Sequence, residues 1–269
     1  MLLSALLLAC PALASCLPLT IALSSPICQQ DPVVEKPGGQ EGSSPESVLA
    51  AQGVLLDRAH GLIELAATIC QDEEPLEYLI IKPNGKDHES LFRLDERVSA
   101  AGLNTAMLLL GVEQGRNGKL VAKDPLPSRE EYEAGTPLYN VEHATGDGFY
   151  IYAGWEQQFL DGHREQWFYR AEDLVINSRR IDTYKRGKFV YLGSRFIKPH
   201  QDSKELFAAE ADGNLVSLVY FNPANHLLTG ADPEANDQYV WYPNTWLLPE
   251  IGTPVTLWLS REPLSGWPE

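Results

Sequence analysis

Cysteine and basic residues are scarce in this chain of 269 residues. It has 4 cysteines, none of them in a C-x-x-C arrangement, which argues against a four-thiolate zinc or iron–sulfur site. Lysine and arginine together number 21 against 37 aspartates and glutamates, so the formal net charge is -16. A polyanion repels nucleic acid, and no nucleic-acid partner is expected.

Catalytic signatures and internal repeats are also absent from the sequence. No G-x-S-x-G motif occurs, and Gly193-Ser194 lies in a predicted strand rather than at a turn between a strand and a helix. There is no repeat of fixed period. The composition, 44% hydrophobic and 22% charged, is typical of a globular domain that buries a core of its own. We therefore predict no catalytic residue, no metal and no cofactor.

The first sixteen residues have the layout of a secretory signal, although no Lys or Arg precedes the apolar run. That run, Leu2 to Ala9, is too short to span a bilayer. Two processing sites are compatible with the residues after this run. Ala12-Leu13-Ala14 is an A-x-A site that would release Ser15, whereas Leu13-Ala14-Ser15-Cys16 resembles a bacterial lipobox. We expect lipidation of Cys16; soluble export and an uncleaved or misread start are the alternatives.

Changes in composition divide the chain into three parts. We predict a signal peptide with a lipobox over 1–16, a flexible linker over 17–47 and one globular domain over 48–269. Lipidated Cys16 would attach the domain to a membrane, which predicts a bacterial cell-envelope location with a lipid anchor. A Cys28–Cys70 disulfide is permitted there, but a buried free Cys70 is the simpler interpretation.

Short runs rich in β-branched and aromatic residues, separated by turn dipeptides, dominate the predicted domain. Val98–Leu110 is the clearest helix, because apolar residues recur at i, i+4 and i+7 from Leu103 onward. Three turn sequences predict β-hairpins: Asn84-Gly85, Gly146-Asp147-Gly148 and Asp212-Gly213. We therefore predict an α+β fold, a mainly antiparallel sheet of hairpins with one principal helix, about 98–110, packed on it.

Several short motifs occur in a fixed order along the chain, and this order is more specific than any single motif. They are Pro75-Leu76-Glu77, Lys86-Asp87-His88-Glu89-Ser90, Asn104–Val112, Val190–Phe196, Tyr220–Leu228 and Ile251–Leu257. In this order they resemble the YdjY-domain family, with its P-L-E, K-x-H-E-S, F-x-G-S-x-F and G-T-x-V-x-L patterns. The resemblance covers roughly residues 60–260. It implies a bacterial, usually exported domain of undetermined function, so it assigns no catalytic residue. The stretch 113–170 carries more loop and acid than the family pattern.

The densest polar cluster is Lys86-Asp87-His88-Glu89. Because side chains alternate along a strand, Asp87 and Glu89 would share one face and His88 would lie on the other. One metal could not easily take His88 together with Glu89, and a site would need a distant histidine: His143, His163 or His226. We expect the His88 ring to pack against the helix and to hydrogen-bond Asn104 or backbone; a ligand anchor and a metal or catalytic role are the alternatives.

Aromatic and basic residues also form local clusters. Trp241 and Trp246 stand with Tyr239 and Tyr242 in one short stretch, where they either cover the core or stack on sugars and protein partners. The basic residues between Arg179 and Lys188 predict a solvated hairpin, with anionic headgroups or an acidic partner as the alternative.

These observations predict a non-catalytic, lipid-anchored envelope domain that binds a ligand, an unknown protein or a glycan through one face. The candidate ligand-binding residues are Asp87, His88, Glu89, Asn104, Ser194, Trp241 and Trp246. Two other functions remain open at this point. One is a metal-assisted hydrolase using His88 with nearby carboxylates, and the other is binding of cell-wall glycan through Trp241 and Trp246.

Overall fold

A computed structural model describes residues 44–198, 200 and 202–268. The predicted signal peptide, Cys16, Cys28 and nearly all of the predicted linker lie outside the described residues. The described part begins with a helix that starts at Pro45, inside the stretch assigned to the linker. No helix in these ranges is long and apolar enough to cross a membrane.

Strands make up most of the regular structure. The helices are α1 (Pro45–Ala51), α2 (Ala100–Leu109), α3 (Arg129–Glu133) and α4 (Ala208–Asp212), with 3-10 turns at Asp87–Glu89 and Ala171–Leu174. The strands are β1 (Val54–Asp57), β2 (Leu62–Ile69), β3 (Tyr78–Ile81), β4 (Ser90–Leu94), β5 (Lys119–Ala122), β6 (Tyr139–Glu142), β7 (Gly148–Gln158), β8 (Arg164–Arg170), β9 (Val175–Asn177), β10 (Asp182–Thr183), β11 (Phe189–Tyr191), β12 (Phe196–Ile197), β13 (Leu206–Phe207), β14 (Asn214–Ser217), β15 (Leu228–Thr229), β16 (Trp241–Pro243) and β17 (Pro254–Ser260).

Eight of the strands close on themselves. Their order is β2-β17-β7-β11-β15-β14-β3-β4, and β4 pairs back onto β2, so the sheet forms a barrel. Within these eight strands the longest pairings are those of β17 with β2 and with β7. Two neighbouring pairs, β3 with β4 and β14 with β15, are parallel. The predicted fold class is therefore wrong. In the described ranges the protein is mostly β, with a closed sheet and four short helices, and not a sheet covered by one principal helix.

The predicted hairpins fail because their turn residues serve other contacts. Asn84 donates from its side-chain amide to the carbonyls of Glu210 and Ala211, and the strands on either side of it run parallel. Gly213, with φ of 75°, ends α4 rather than a strand. The remaining turn, Gly146-Asp147-Gly148, leads into β7. The strand before it, β6, pairs with β5 and not with β7. Turn chemistry in this chain marks loop contacts and helix ends as well as hairpins.

The predicted helix exists but does not organise the fold. Ser99 accepts the Gly102 N–H at 2.9 Å, which satisfies one of the free N–H groups at the start of α2. Leu103, Ala106 and Met107 are buried, and α2 contacts α1, β1 and α4. The apolar spacing thus located the helix within two residues, whereas most of the buried side chains come from the strands.

The strands supply most of the main core, and Ala144, Val190 and Leu192 form a second, smaller cluster. The largest buried side chains are Trp155, Trp241, Trp258, Tyr152, Tyr184, Phe92, Phe149 and Phe189. Tyr184 donates its hydroxyl to the Leu218 carbonyl at 2.8 Å, so this buried polar group has a partner. Closing the sheet leaves no free edge among the eight strands and buries apolar side chains from all of them.

Gly148 tests how tightly the closed sheet is packed. A Cβ at this position would overlap the Phe189 carbonyl oxygen where β7 meets β11. We expect Gly148→Ala to lower the free energy of unfolding by about 2 kcal/mol or more, as overpacking does. Urea unfolding followed by tryptophan fluorescence measures the change.

Gly187→Ala is the matched control. A Cβ at Gly187 meets no neighbouring atom within 4 Å, so this variant should keep the wild-type midpoint or gain slightly. Equal midpoints for the two variants would contradict the close approach of β7 and β11.

Candidate functional site

Residues from three distant parts of the chain line one groove of about 560 Å³, which we call the acidic groove. Its residues are Glu74, Pro75, Glu77, His88, Glu89, Gln238 and Tyr239. Since β3 and β4 are parallel neighbours, the residues that precede them lie at the same end of the sheet. Tyr78 pairs with Ser90, and the Glu77 N–H donates to the Glu89 carbonyl at 2.9 Å. The groove therefore follows directly from the strand topology.

Lys86 joins the two central carboxylates of the groove. Its ammonium lies 2.7 Å from Glu77 Oε2 and 2.6 Å from Glu89 Oε2. Burial and the neighbouring Glu89 raise the pKa of Glu77. Partial burial opposes ionisation of Glu89, but hydrogen bonds with Glu77 and Lys86 lower its pKa. The ammonium also lies 5.7 Å from the centre of the Tyr78 ring. These contacts hold the charged side chains in fixed positions.

His88 lies at the rim of the acidic groove rather than against α2. Its side chain is 76% exposed, and its Nε2 is 3.6 Å from Glu89 Oε1. The expected hydrogen bond to Asn104 does not form, because Asn104 accepts from the Tyr191 hydroxyl at 2.6 Å. The reason is local: Asp87–Glu89 form a 3-10 turn, so the alternation expected of a strand does not apply.

Asp87 lines no part of the groove. Its Oδ2 pairs with Arg93 at 2.7 Å, and its Oδ1 is buried without a partner among the described residues. Cys70 lies near Asp87 and is half-buried. Burial, with the Asp87 charge, raises the pKa of its thiol to about 12. A thiol with such a pKa is a weak nucleophile at neutral pH. Cys28, with which Cys70 could form a disulfide, lies outside the described residues.

The metal-assisted alternative gains no support from the described part of the chain. No group of three His, Cys, Asp or Glu side chains in the described ranges is placed to hold a metal ion. His226, one of the distant histidines considered above, is 2% exposed. Burial lowers its pKa to about 4.

Asn104 and Ser194 have structural contacts away from the acidic groove. The Ser194 hydroxyl donates to the Asn225 carbonyl at 2.6 Å and accepts the Ala209 N–H at 3.1 Å. Ser194 also adopts φ of 60°, a conformation uncommon for residues other than glycine. Its hydroxyl thus joins two loops to the start of α4 and is not free to act as a nucleophile.

The aromatic stretch separates into buried and exposed rings. Trp241 is 0% exposed, with its ring 4.6 Å from that of Tyr184, so it is not available to a ligand. Trp246 is 88% exposed, and Tyr239 is 73% exposed at the acidic groove. The candidate ligand-binding residues did not include Tyr239, Glu77 or Lys86, although the sequence analysis placed Tyr239 in the aromatic cluster and Lys86 in the polar cluster. The family-like P-L-E and K-x-H-E-S segments contained two of them, but only the pairing of β3 with β4 brings them together.

The basic stretch is largely neutralised by acids. Arg179 contacts Asp237 at 2.7 Å, and both guanidinium nitrogens of Arg180 contact Asp232 at 3.1 Å. Arg186 pairs with Asp173 at 2.7 Å. Paired cations of this kind present little net positive charge to an anionic headgroup.

A comparison with protein families identifies one match. A family model described as the YdjY domain matches residues 54–260. This range begins at the first residue of β1 and ends at the last residue of β17, so it includes every strand of the closed sheet. No curated protein and no solved structure matches the chain.

The buried His226 predicts a pH-dependent loss of stability. Its pKa is about 4 in the folded protein and about 6.5 when unfolded, so the unfolded state binds the extra proton between these values. Stability should fall as the pH drops through this window, by about 2 kcal/mol between pH 7.5 and pH 5. We expect His226→Gln to lose this part of the pH dependence in urea unfolding at the two pH values.

The exposed His88 supplies the control. His88→Gln should keep the wild-type difference between pH 7.5 and pH 5, because its ring is already in contact with solvent. A full wild-type drop in His226→Gln would show that another group is responsible.

Proposed function

The chain belongs to the YdjY domain family, and on this premise we propose that it is a non-catalytic cell-envelope domain that binds a partner in the acidic groove. The observation that carries the proposal is the convergence of three distant segments on one groove with an exposed aromatic ring at its rim. Concave sites that combine a few fixed polar groups with an apolar surface are typical of ligand binding.

The state of the reactive groups favours binding over catalysis. Glu77 and Glu89 share the Lys86 ammonium, and Asp87 is paired with Arg93. A general acid or base has to exchange a proton with substrate, and a nucleophile needs an adjacent base. Ser194, whose hydroxyl is already engaged twice, lacks such a base among its hydrogen-bond partners.

The charge of the groove favours a cationic partner. It contains three carboxylates, of Glu74, Glu77 and Glu89, with the Lys86 ammonium beside them. Tyr239 adds an exposed ring that a lysine or arginine side chain could cover. We therefore propose a protein partner that presents a basic segment. The glycan alternative is weaker, since only Trp246 of its two tryptophans is exposed.

The proposed location rests on the sequence alone. The apolar leader and the lipobox-like Leu13-Ala14-Ser15-Cys16 support export followed by lipidation of Cys16. Acyl chains contribute about 0.8 kcal/mol per buried CH₂, so a multiply acylated cysteine gives stable membrane attachment.

Mass spectrometry of the mature amino terminus tests the anchor. We expect the chain, expressed with its leader in a bacterial host, to begin at an acylated Cys16 and to sediment with membranes. Cys16→Ser should move the protein to the soluble fraction, because the acylated thiol is gone. An unacylated chain that begins at Ser15 would contradict the proposal.

Titration with short peptides tests the groove. We expect tetralysine to bind the described domain and tetraglutamate not to bind, as measured by calorimetry at low ionic strength. Glu89→Gln and Tyr239→Ala should each weaken tetralysine binding, the latter about threefold, as expected for an exposed cation–π contact.

Two exposed residues of α3 provide matched controls for this titration. Tyr132→Ala removes a ring that is exposed elsewhere on the surface, and Glu133→Gln removes an exposed carboxylate. Both should leave the affinity unchanged. If the groove variants and the control variants behave alike, tetralysine is attracted only by the net charge of the protein.

A further inference from the structure

A second pocket, of about 570 Å³, lies apart from the acidic groove and has the opposite character. Its lining residues are Arg116, Asn117, Lys119, Glu142, His143 and Thr145, and we call it the Arg116 pocket. They come from β5 and β6 and from the segments beside these strands. None of these residues lines the acidic groove.

Arg116 differs from the other described arginines. Each of the others has its guanidinium close to a carboxylate or, for Arg195, to the Asn225 amide oxygen. The Arg116 guanidinium makes no ion pair or hydrogen bond with any described residue. On a chain with 37 acidic and 21 basic residues, an arginine whose guanidinium contacts no acceptor among the described residues is unexpected. Its five N–H donors are available to a ligand.

The backbone of the pocket is held in place before any ligand arrives. The Arg116 N–H donates to the Thr145 carbonyl at 2.8 Å, and the Thr145 N–H donates back at 3.0 Å. Asn117 Nδ2 donates to the Phe221 carbonyl at 2.8 Å, and Asn222 Nδ2 donates to the Gly118 carbonyl at 2.8 Å. Because this backbone is already held by hydrogen bonds, binding of a ligand does not have to order it, which lowers the entropic cost of binding.

The polar groups of the pocket favour an anion. Lys119 pairs with Glu142 at 3.1 Å, which leaves the Arg116 charge uncompensated. His143 and Thr145 line the same space, and their side chains carry groups that can donate hydrogen bonds. A guanidinium matches the paired oxygens of a carboxylate or a phosphate with two parallel hydrogen bonds. The volume is within the range of small-molecule sites.

We propose that the Arg116 pocket binds a small organic anion through its carboxylate or phosphate group, with Arg116 as the principal contact. This site is independent of the acidic groove and of the function proposed for it.

Titration with three probes tests the proposal: inorganic phosphate, succinate and neutral glucose, each at constant ionic strength in chloride. Backbone amide shifts in ¹H–¹⁵N NMR report the site. We expect phosphate or succinate to shift the amides of residues 116–119 and 142–145 saturably, and glucose to leave them unchanged. Preference for phosphate or for succinate identifies the anionic group of the ligand.

Two arginine variants test whether Arg116 is the principal contact of the anion. Arg116→Gln should weaken binding of the preferred anion about tenfold, as expected when a charge-assisted hydrogen bond is lost. Arg129→Gln, which changes an arginine on α3 that is paired with Glu133, should bind like the wild type. The absence of saturable shifts with both anions would overturn the proposal, as would equal affinity in Arg116→Gln and the wild type.

Discussion

The pairing of β4 with two strands at once is the constraint on which the rest of the structure depends. Strand β4 runs antiparallel to β2 and parallel to β3. Without these two pairings the sheet would have two free edges. Both β3 and β4 are almost completely buried, as is typical of strands with parallel neighbours. The same pairing aligns Glu77 with Glu89 and so creates the acidic groove. The pairing that closes the sheet therefore also brings two carboxylates of the candidate site together.

Glu210 links the helices to this closed sheet. Its carboxylate accepts the Ala100 N–H at 2.6 Å at the start of α2 and pairs with Lys82, which follows β3. A carboxylate at the amino end of a helix is favoured by the free N–H groups and by the helix dipole. One side chain of α4 therefore fixes the start of α2 against the end of β3. Because this contact spans more than a hundred residues, the helix was predictable from its own sequence whereas its position was not.

Local pattern and long-range pairing account for what the sequence could and could not reveal. Helix α2 was predictable because its apolar spacing is a local property. The parallel pair was not, since Asn84-Gly85 is a strong hairpin signal and only its contacts with α4 explain it. For the site, His88 and Glu89 were selected from polar density, but Tyr239 reaches the groove from 150 residues away. Trp241 and Trp246 differ in burial although five residues apart, because β16 pairs with β9 and fixes only the first ring.

The electrostatic field of the whole protein also affects the two pockets differently. A net charge of -16 attracts cations toward every part of the surface, so long-range attraction alone cannot select the acidic groove. Selectivity there has to come from short-range contacts such as the Tyr239 ring. At the Arg116 pocket the same field repels the ligand, and binding depends on the local fit between guanidinium and anion. Salt screens the long-range attraction to the groove, and at the pocket it screens both the long-range repulsion and the attraction between Arg116 and the anion. The local charge of each pocket, and not the field of the whole protein, therefore determines which ligand each pocket selects.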